Sequence, residues 1–282
     1  MKIRSLLNSV LVATVVMLSG IVWPVLPAEH VRTQSSEDDA NRQEAERLWE
    51  LAIAAKGGRE RLQAVSNLQI SIREKVWYGL RRVSYIREAL YVFPGKHWEW
   101  TDQRKSVFGL SIIMYNHDRD INLWYIDHGK GAHVGRPVDL VNGKAGLIPL
   151  YDVQLRYFME TKWVRPIPIS VQQEKLDGKL VDIVQTIVKG YPTKDGTDEQ
   201  RVSFALDRKT HLPTRINYYR FTLGKESGGG LPLSDYVDVD GIKMPSKILD
   251  FRSSFKINVD YDEQIFIRDP SAEGGINQWK KG

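Results

Sequence analysis

From Leu68 to Phe266 the apolar residues recur mainly with a period of two, and this pattern constrains the fold more than any other feature of the chain. Leu68, Ile70 and Ile72 alternate with polar neighbours, which is typical of a strand solvated on one face. Ten further short segments are predicted as strands: 82–93, 96–102, 106–116, 121–127, 179–189, 201–206, 214–223, 234–239, 243–253 and 255–266.

Residue pairs that favour tight turns separate many of these segments. They supply the positive φ angles that short hairpins need, so successive strands are predicted to be antiparallel neighbours. A further glycine-rich stretch, Gly224 to Gly230, is interpreted as a mobile hairpin connection. The turn pairs are Pro94-Gly95, Asn142-Gly143, Asp177-Gly178, Asp195-Gly196 and Asp240-Gly241.

Two helical segments are predicted, one before the strand pattern and one that interrupts it. The first is predicted to begin at Ser35 or Ser36, to cover Ala40 to Lys56, and to end at Gly57-Gly58, followed by a short helix over 59–65. The second is predicted within Leu150 to Trp163. The apolar residues that recur at helical spacing are Ala45, Leu48, Trp49, Ala52 and Ala55 in the first segment and Tyr151, Leu155, Phe158 and Met159 in the second.

The N-terminus has the composition of a secretory signal. Lys2 and Arg4 precede an apolar stretch from Leu6 to Val22, and residues 1–28 are predicted to form a signal peptide. An uncleaved membrane anchor is the alternative, because the stretch is just long enough to span a bilayer. We expect a flexible leader over 29–41, a single domain over 42–272 and a C-terminal tail over 273–282. The absence of cysteine excludes a disulfide framework and a lipid-anchored cysteine.

Composition and motifs argue against several functional classes. The formal net charge is +5, but acidic and basic residues are interspersed, so nucleic-acid binding is not expected. His97, His117, His128 and His133 lack metal-ligand spacing, and no metal or other cofactor is expected. We find no catalytic constellation and predict that the protein is not an enzyme. A secreted hydrolase using the histidines and aspartates between Asn116 and His133 remains a weaker alternative.

Some predicted strands are apolar on both faces, which is the most informative physical clue. Leu123 and Tyr125 alternate with Trp124 and Ile126, so this strand must be covered on both sides. A strongly curved sheet with helices on its concave side provides that cover and leaves an adjustable apolar hollow for an acyl chain or lipid. The residues predicted to line the hollow are Trp98, Trp100, Ile113, Tyr115, Leu123, Tyr125, Leu155 and Phe158.

Three segments resemble the LolA/LolB-like periplasmic lipoprotein and lipid carriers. They are the Ala52 to Gly58 helix end leading into Leu68-Gln69-Ile70, the hairpin from Val202 to Leu212-Pro213, and the hairpin from Tyr236 to Pro245. The resemblance extends from about Ala45 to Pro270. It implies an α+β, mainly antiparallel β fold, in which an incomplete half β-barrel has helices covering its concave apolar face and lipid tails enter the hollow.

The expected function follows from the hollow and the resemblance. We expect a non-catalytic periplasmic carrier or chaperone that binds lipid or the acyl chains of a lipidated protein and transiently contacts inner or outer membrane components. An envelope-stress sensor domain that recognises lipoproteins with the same hollow is the alternative.

Overall fold

The structure is a computed structural model that describes residues 28–78, 80–103, 109–116, 121–127, 132–135, 153–161, 164–193, 196–222, 225–249 and 251–267. The chain divides into two units, Met1–Glu37 and Asp38–Gly282. Within the first, the described residues belong to a helix that begins at Ala28. The second unit contains the sheet, and the following paragraphs concern it.

The described elements are three α-helices, thirteen strands and a short 3₁₀ helix at Glu263–Phe266. The helices are α1 Ala28–Lys56, α2 Arg59–Gln63 and α3 Val153–Met159. The strands are β1 Asn67–Tyr78, β2 Arg81–Val92, β3 Lys96–Gln103, β4 Gly109–Asn116, β5 Ile121–Asp127, β6 Ala132–Gly135, β7 Arg165–Leu176, β8 Lys179–Thr193, β9 Gly196–Asp207, β10 Pro213–Thr222, β11 Lys225–Val239, β12 Ile242–Ile248 and β13 Phe251–Ile257.

All thirteen described strands form one antiparallel sheet in the order β6-β5-β4-β3-β2-β1-β13-β12-β11-β10-β9-β8-β7. Each strand pairs with its neighbours along the chain, and β1 pairs with β13. The exception is β6 and β7, which form the two edges although they are consecutive in sequence. A barrel of this order would close by pairing these edges. It stays open, and α3 lies in the connection between them, so the predicted incomplete β-barrel is confirmed.

The period of two places the apolar residues of β1 on the concave face. Leu68 and Ile70 pair with Tyr91 and Ala89 of β2, and all four are buried under the helices. Gln69, Ser71 and Arg73 alternate with them on the convex face. The concave face therefore forms one wall of the main apolar core.

Two predicted tight turns have the expected backbone. Asp177-Gly178 and Asp240-Gly241 join β7 to β8 and β11 to β12, with φ values of 49° and 83° in the first pair and 51° and 81° in the second. Positive φ at both central residues matches the right-handed twist of the flanking strands. Residues 142–143, 194–195 and 223–224 lie outside the described residues.

Helix α1 begins earlier than the sequence predicts. It starts at Ala28 instead of Ser35 or Ser36, and residues 29–41 are helical in the structure. Its C-terminal end agrees with the prediction, because Gly57 and Gly58 follow Lys56 with φ values of 135° and 87°. Residues 1–27 lie outside the described residues, and in the described part no helix is long and apolar enough to cross a bilayer.

The predicted strands do not include β7, which contains Pro166 and Pro168. Proline is tolerated in an edge strand, and β7 is an edge. The interpretation of the glycine run as a mobile connection was also wrong. Gly228, Gly229 and Gly230 pair with Tyr219, Tyr218 and Asn217 inside β11.

The last two predicted strands have different boundaries in the structure. Leu249 has a φ of 55°, which turns the chain and divides the predicted segment 243–253 between β12 and β13. Strand β13 ends at Ile257, and Phe266 belongs to the 3₁₀ helix. Such turns depend on packing around the chain, so the spacing of the apolar residues does not predict them.

Candidate functional site

The centre of the concave core is a group of aromatic rings contributed by α1, α3 and β9. Trp49 stacks on Phe158 with 4.8 Å between ring centroids, and both rings contact Phe204, at 4.8 Å and 5.5 Å. Tyr157 meets Phe204 edge-to-face at 5.5 Å. All four side chains are buried. In this conformation the rings fill the space between the helices and this part of the sheet.

Polar contacts hold α1 and α2 to the end of α3. Trp49 Nε1 donates to Glu160 Oε1 at 2.9 Å, and Glu160 also forms an ion pair with Arg59. Glu160 follows the last residue of α3 and has a φ of 48°, a left-handed conformation typical of helix ends. One carboxylate therefore joins three neighbouring elements at a helix terminus.

Lys56, the last residue of α1, is completely buried. Its Nζ donates to Gln154 Oε1 on α3 at 3.1 Å and to the Lys243 carbonyl oxygen on β12 at 2.6 Å. The rings of Phe158 and Tyr236 lie 5.7 Å and 5.5 Å from Nζ. Burial lowers the pKa of Lys56 to about 7, because an ammonium group loses its hydration there.

A charged group lies elsewhere on the concave face. Arg87 of β2 forms an ion pair with Glu99 of β3, Thr101 Oγ1 donates to Glu99 at 3.3 Å, and His97 Nε2 lies 3.5 Å from the same carboxylate. The His97 ring stacks on Tyr91 at 4.5 Å. Burial alone raises the pKa of Glu99, but the Arg87 charge and His97 outweigh it, so the pKa falls to about 2.

The structure brings together two of the eight residues predicted to line the hollow. Leu155 and Phe158 are fully buried in the core under the sheet. Trp98 and Trp100 lie on the other face, since Trp98 pairs with Leu90 and Met114 while its neighbours His97 and Glu99 face the concave side. The side chains of Ile113, Tyr115, Leu123 and Tyr125 lie outside the described residues.

The convex side of β3 and β4 has its own cover. The 3₁₀ helix packs there, with Phe266 fully buried and its carbonyl oxygen 3.5 Å from Asn116 Nδ2. Lys96 forms a salt bridge with Glu263 at 3.0 Å. The convex side of this part of the sheet is therefore covered, while its concave side carries the charged group of Arg87, Glu99 and His97.

A groove of about 210 Å³ lies on the convex side of β7 to β10. Gln172, Gln185, Arg201 and Ser203 line it together with Asn217. Its lining is mainly polar, so it differs in place and chemistry from the predicted apolar hollow.

Sequence reasoning missed Trp49, Lys56 and Glu160 as parts of this site. The helical spacing predicts burial for one of them. Lys56 lies four residues after Ala52 and seven after Trp49, on the buried stripe of α1. The role of Glu160 depends on a contact across 111 residues of chain and has no local signal.

Most of the residues considered as metal ligands lie outside the described residues. His117, His128 and Asp118 lie outside the described residues, and the side chain of His133 does too. Within the described ranges, no three His, Asp or Glu side chains are grouped as metal ligands.

No family model and no curated protein sequence matches the chain. Several solved structures are similar to it, including the following three. A DUF1329 family protein from Desulfovibrio piger is 12% identical, with a TM-score of 0.45, over 79% of this chain and 96% of that one. A LolA superfamily protein from Nitrosomonas europaea is 14% identical, with a TM-score of 0.45, over 80% and 98%.

The third is a putative outer membrane lipoprotein-sorting protein domain from Vibrio parahaemolyticus, 13% identical with a TM-score of 0.42, over 79% of this chain and 97% of that one. Two of the three similar structures are thus of a LolA superfamily protein and of a lipoprotein-sorting protein domain, each with a TM-score below 0.5.

Proposed function

We propose that the protein is a non-catalytic carrier that binds the acyl chain of a lipid or of a lipidated protein between the concave face of the sheet and its helical cover. The observation that carries this proposal is the aromatic core itself. Trp49 and Phe158 belong to two helices and pack on Phe204 of the sheet, so movement of either helix opens apolar space.

An acyl chain has the right energetics to replace these contacts. Exposing two or three large side chains costs roughly 3–9 kcal/mol, at about 1.5–3 kcal/mol each. Burying about twelve methylene groups contributes about 10 kcal/mol, at about 0.8 kcal/mol each. A long chain therefore offsets the opening of the cover over this whole range, whereas a chain of about six carbons contributes only about 5 kcal/mol and offsets the lower part of it.

The charge state of Glu99 argues against a role of this carboxyl group in acid–base catalysis. Glu99 is a buried carboxyl group of the concave face, and with a pKa of about 2 it remains ionised near neutral pH. A general acid or base needs a pKa close to the working pH. The Arg87–Glu99 pair therefore acts as a structural element of the wall.

We further propose that the chain acts in the periplasm, after export by residues 1–28, where it meets lipid or lipidated protein and transiently contacts inner or outer membrane components. The composition of the N-terminal segment and the sequence resemblance to LolA/LolB-like carriers support this proposal.

The test measures uptake of fluorescent fatty acids of increasing chain length by the purified protein, with native mass spectrometry of protein isolated from its native envelope. We expect binding of chains with about twelve or more methylene groups, much weaker binding of a six-carbon chain, and an acyl-bearing adduct. Failure of every chain length to bind, together with an adduct-free mass spectrum, contradicts the proposal.

A further inference from the structure

Lys56 is a buried cation whose described surroundings contain no carboxylate. Among the residues that the structure describes, no Asp or Glu forms a salt bridge with it, and its two hydrogen-bond acceptors are the neutral oxygens of Gln154 and Lys243. The side chain of Lys243 turns away toward Asp238, at 3.1 Å. The positive charge is thus balanced only by dipoles and ring faces.

Such a site is costly for a protein to maintain. An unpaired buried ammonium group loses several kcal/mol of hydration. The rings of Phe158 and Tyr236 and the carbonyl end of α1 recover part of this loss. The remaining penalty is visible as the lowered pKa of Lys56. Tyr236, the titratable side chain beside it on β11, stays neutral because burial raises its pKa.

The environment of Lys56 depends on the same helix that the proposed function requires to move. Gln154 and Phe158 both belong to α3, while the Lys243 carbonyl belongs to the sheet. When α3 moves away, Nζ loses one hydrogen bond and one ring, and its charge faces the space that α3 has left. A ligand entering that space meets one cation at the end of an apolar wall.

We propose that Lys56 anchors the anionic head group of the ligand, so that the cargo is a single-chain amphiphile with a carboxylate or phosphate head. This inference rests on the proposed carrier function and names the ligand class for the same hollow. An anion placed against Nζ supplies the charge partner that the described residues do not provide, and charge-assisted hydrogen bonds of this kind are among the strong ones.

The experiment compares three ligands of equal chain length, tetradecanoate, tetradecyl phosphate and tetradecanol, below their micelle-forming concentrations. Their dissociation constants are measured for the wild-type chain, for Lys56→Met and for Lys243→Met. Methionine matches the length of lysine without its charge. Lys243→Met is the matched control, because its side chain is half exposed and pairs with Asp238.

We expect the wild type to bind at least one of the two anions about tenfold more tightly than tetradecanol, equivalent to about 1.4 kcal/mol. The preferred anion identifies the head group. Lys56→Met should lose that preference while retaining its affinity for tetradecanol, and Lys243→Met should behave like the wild type. Equal binding of all three ligands by the wild type overturns the inference but leaves the carrier function intact, whereas failure of all three to bind contradicts both.

Titration calorimetry of the wild type in two buffers of different ionisation enthalpy gives a second readout that needs no variant. At pH 8 the lysine is largely neutral before binding, and an anion beside it raises its pKa. We expect uptake of close to one proton per bound anion and none with tetradecanol. Anion binding without proton uptake argues against contact with Lys56.

Discussion

Single residues on the concave face show how a charge is kept inside an apolar wall. Arg87 lies on β2 and Glu99 on the neighbouring strand β3, and the side chain of Glu99 is 6% exposed. Each charge is tolerated because the other lies against it, and removal of one partner leaves the other buried without compensation. The Arg73–Glu88 pair lies on the convex face of β1 and β2. It is more exposed than the Arg87–Glu99 pair and serves as the comparison.

Arg87→Met should lower the free energy of unfolding at pH 7 by about 3–5 kcal/mol, because Glu99 then stays ionised and unpaired. Arg73→Met should cost less than about 1 kcal/mol. Urea unfolding followed by circular dichroism measures both. A loss for Arg87→Met no larger than that of the control contradicts the role of the pair.

The pH dependence of the pair follows from the sign of the Glu99 shift. The folded pKa is about 2, below the ordinary 4.5, so the wild type keeps this stabilisation above about pH 4.5 and loses it as pH falls toward 2. In Arg87→Met the loss of the Arg87 charge raises the pKa of Glu99, so the stability deficit of the variant should shrink between pH 7 and pH 4. Free energies of unfolding measured for both proteins at pH 7 and pH 4 check the sign of the Glu99 pKa shift. A stability deficit of Arg87→Met that grows on acidification argues against it.

Gly57 marks the point where the end of α1 meets the β11–β12 turn. A Cβ there would lie 2.6 Å from the Gly241 carbonyl oxygen, and φ is 135°. Gly178→Ala is the control, with a φ of 83° and no atom within 4 Å of the added Cβ. We expect Gly57→Ala to lower stability by about 2 kcal/mol more than the control, which itself costs about 1–2 kcal/mol. Equal thermal unfolding of both variants excludes the close contact.

At the scale of elements, α3 is seven residues long and depends on its neighbours, because helices this short are not stable alone. Trp49 and Arg59 hold its end through Glu160, and Lys56 holds its start through Gln154. Since these contacts are made by individual side chains, each can be removed without altering the sheet. This arrangement suits a cover that opens and closes.

Glu160→Gln keeps an oxygen for Trp49 but removes the charge that pairs with Arg59. We expect the variant to release a bound fluorescent fatty acid about tenfold faster than the wild type, a change equivalent to about 1.4 kcal/mol. Glu44→Gln, which removes an exposed ion pair with Arg47 on α1, should not change the rate. Competition experiments by stopped flow measure it, and equal release rates for both variants would falsify a role of Glu160 in holding the cover.

At the scale of the whole molecule, the sheet between β2 and β4 separates two covered faces. Phe266 is fully buried on the convex side, where it meets Tyr261 edge-to-face at 5.8 Å. Phe266→Ala should lower the free energy of unfolding by about 3–5 kcal/mol. Gln264→Ala, at an exposed position of the same 3₁₀ helix, should stay within about 0.5 kcal/mol. Chemical denaturation compares them, and similar losses would mean that Phe266 does not seal this face.

The sequence predicts secondary structure best where the cause is local. Alternation in β1, positive φ at Asp177-Gly178 and Asp240-Gly241, and the glycine end of α1 each depend on a few adjacent residues. It failed at β7 and at the Gly228 to Gly230 segment of β11, because a strand containing proline or glycine is decided by the partner with which it pairs. It also placed Trp98 and Trp100 in the hollow, because alternation separates the two faces of a strand without showing which face the helices cover.

The sequence by itself determined an antiparallel β protein with helices before and within the sheet, because side-chain period and turn chemistry are local properties. Only the tertiary structure decided that β1 pairs with β13 while β6 and β7 remain open edges. The same holds for Trp49, Lys56 and Glu160, which meet their partners across about a hundred residues or more of chain. Such contacts depend on how the sheet curves and where the helices pack, and no local pattern records them.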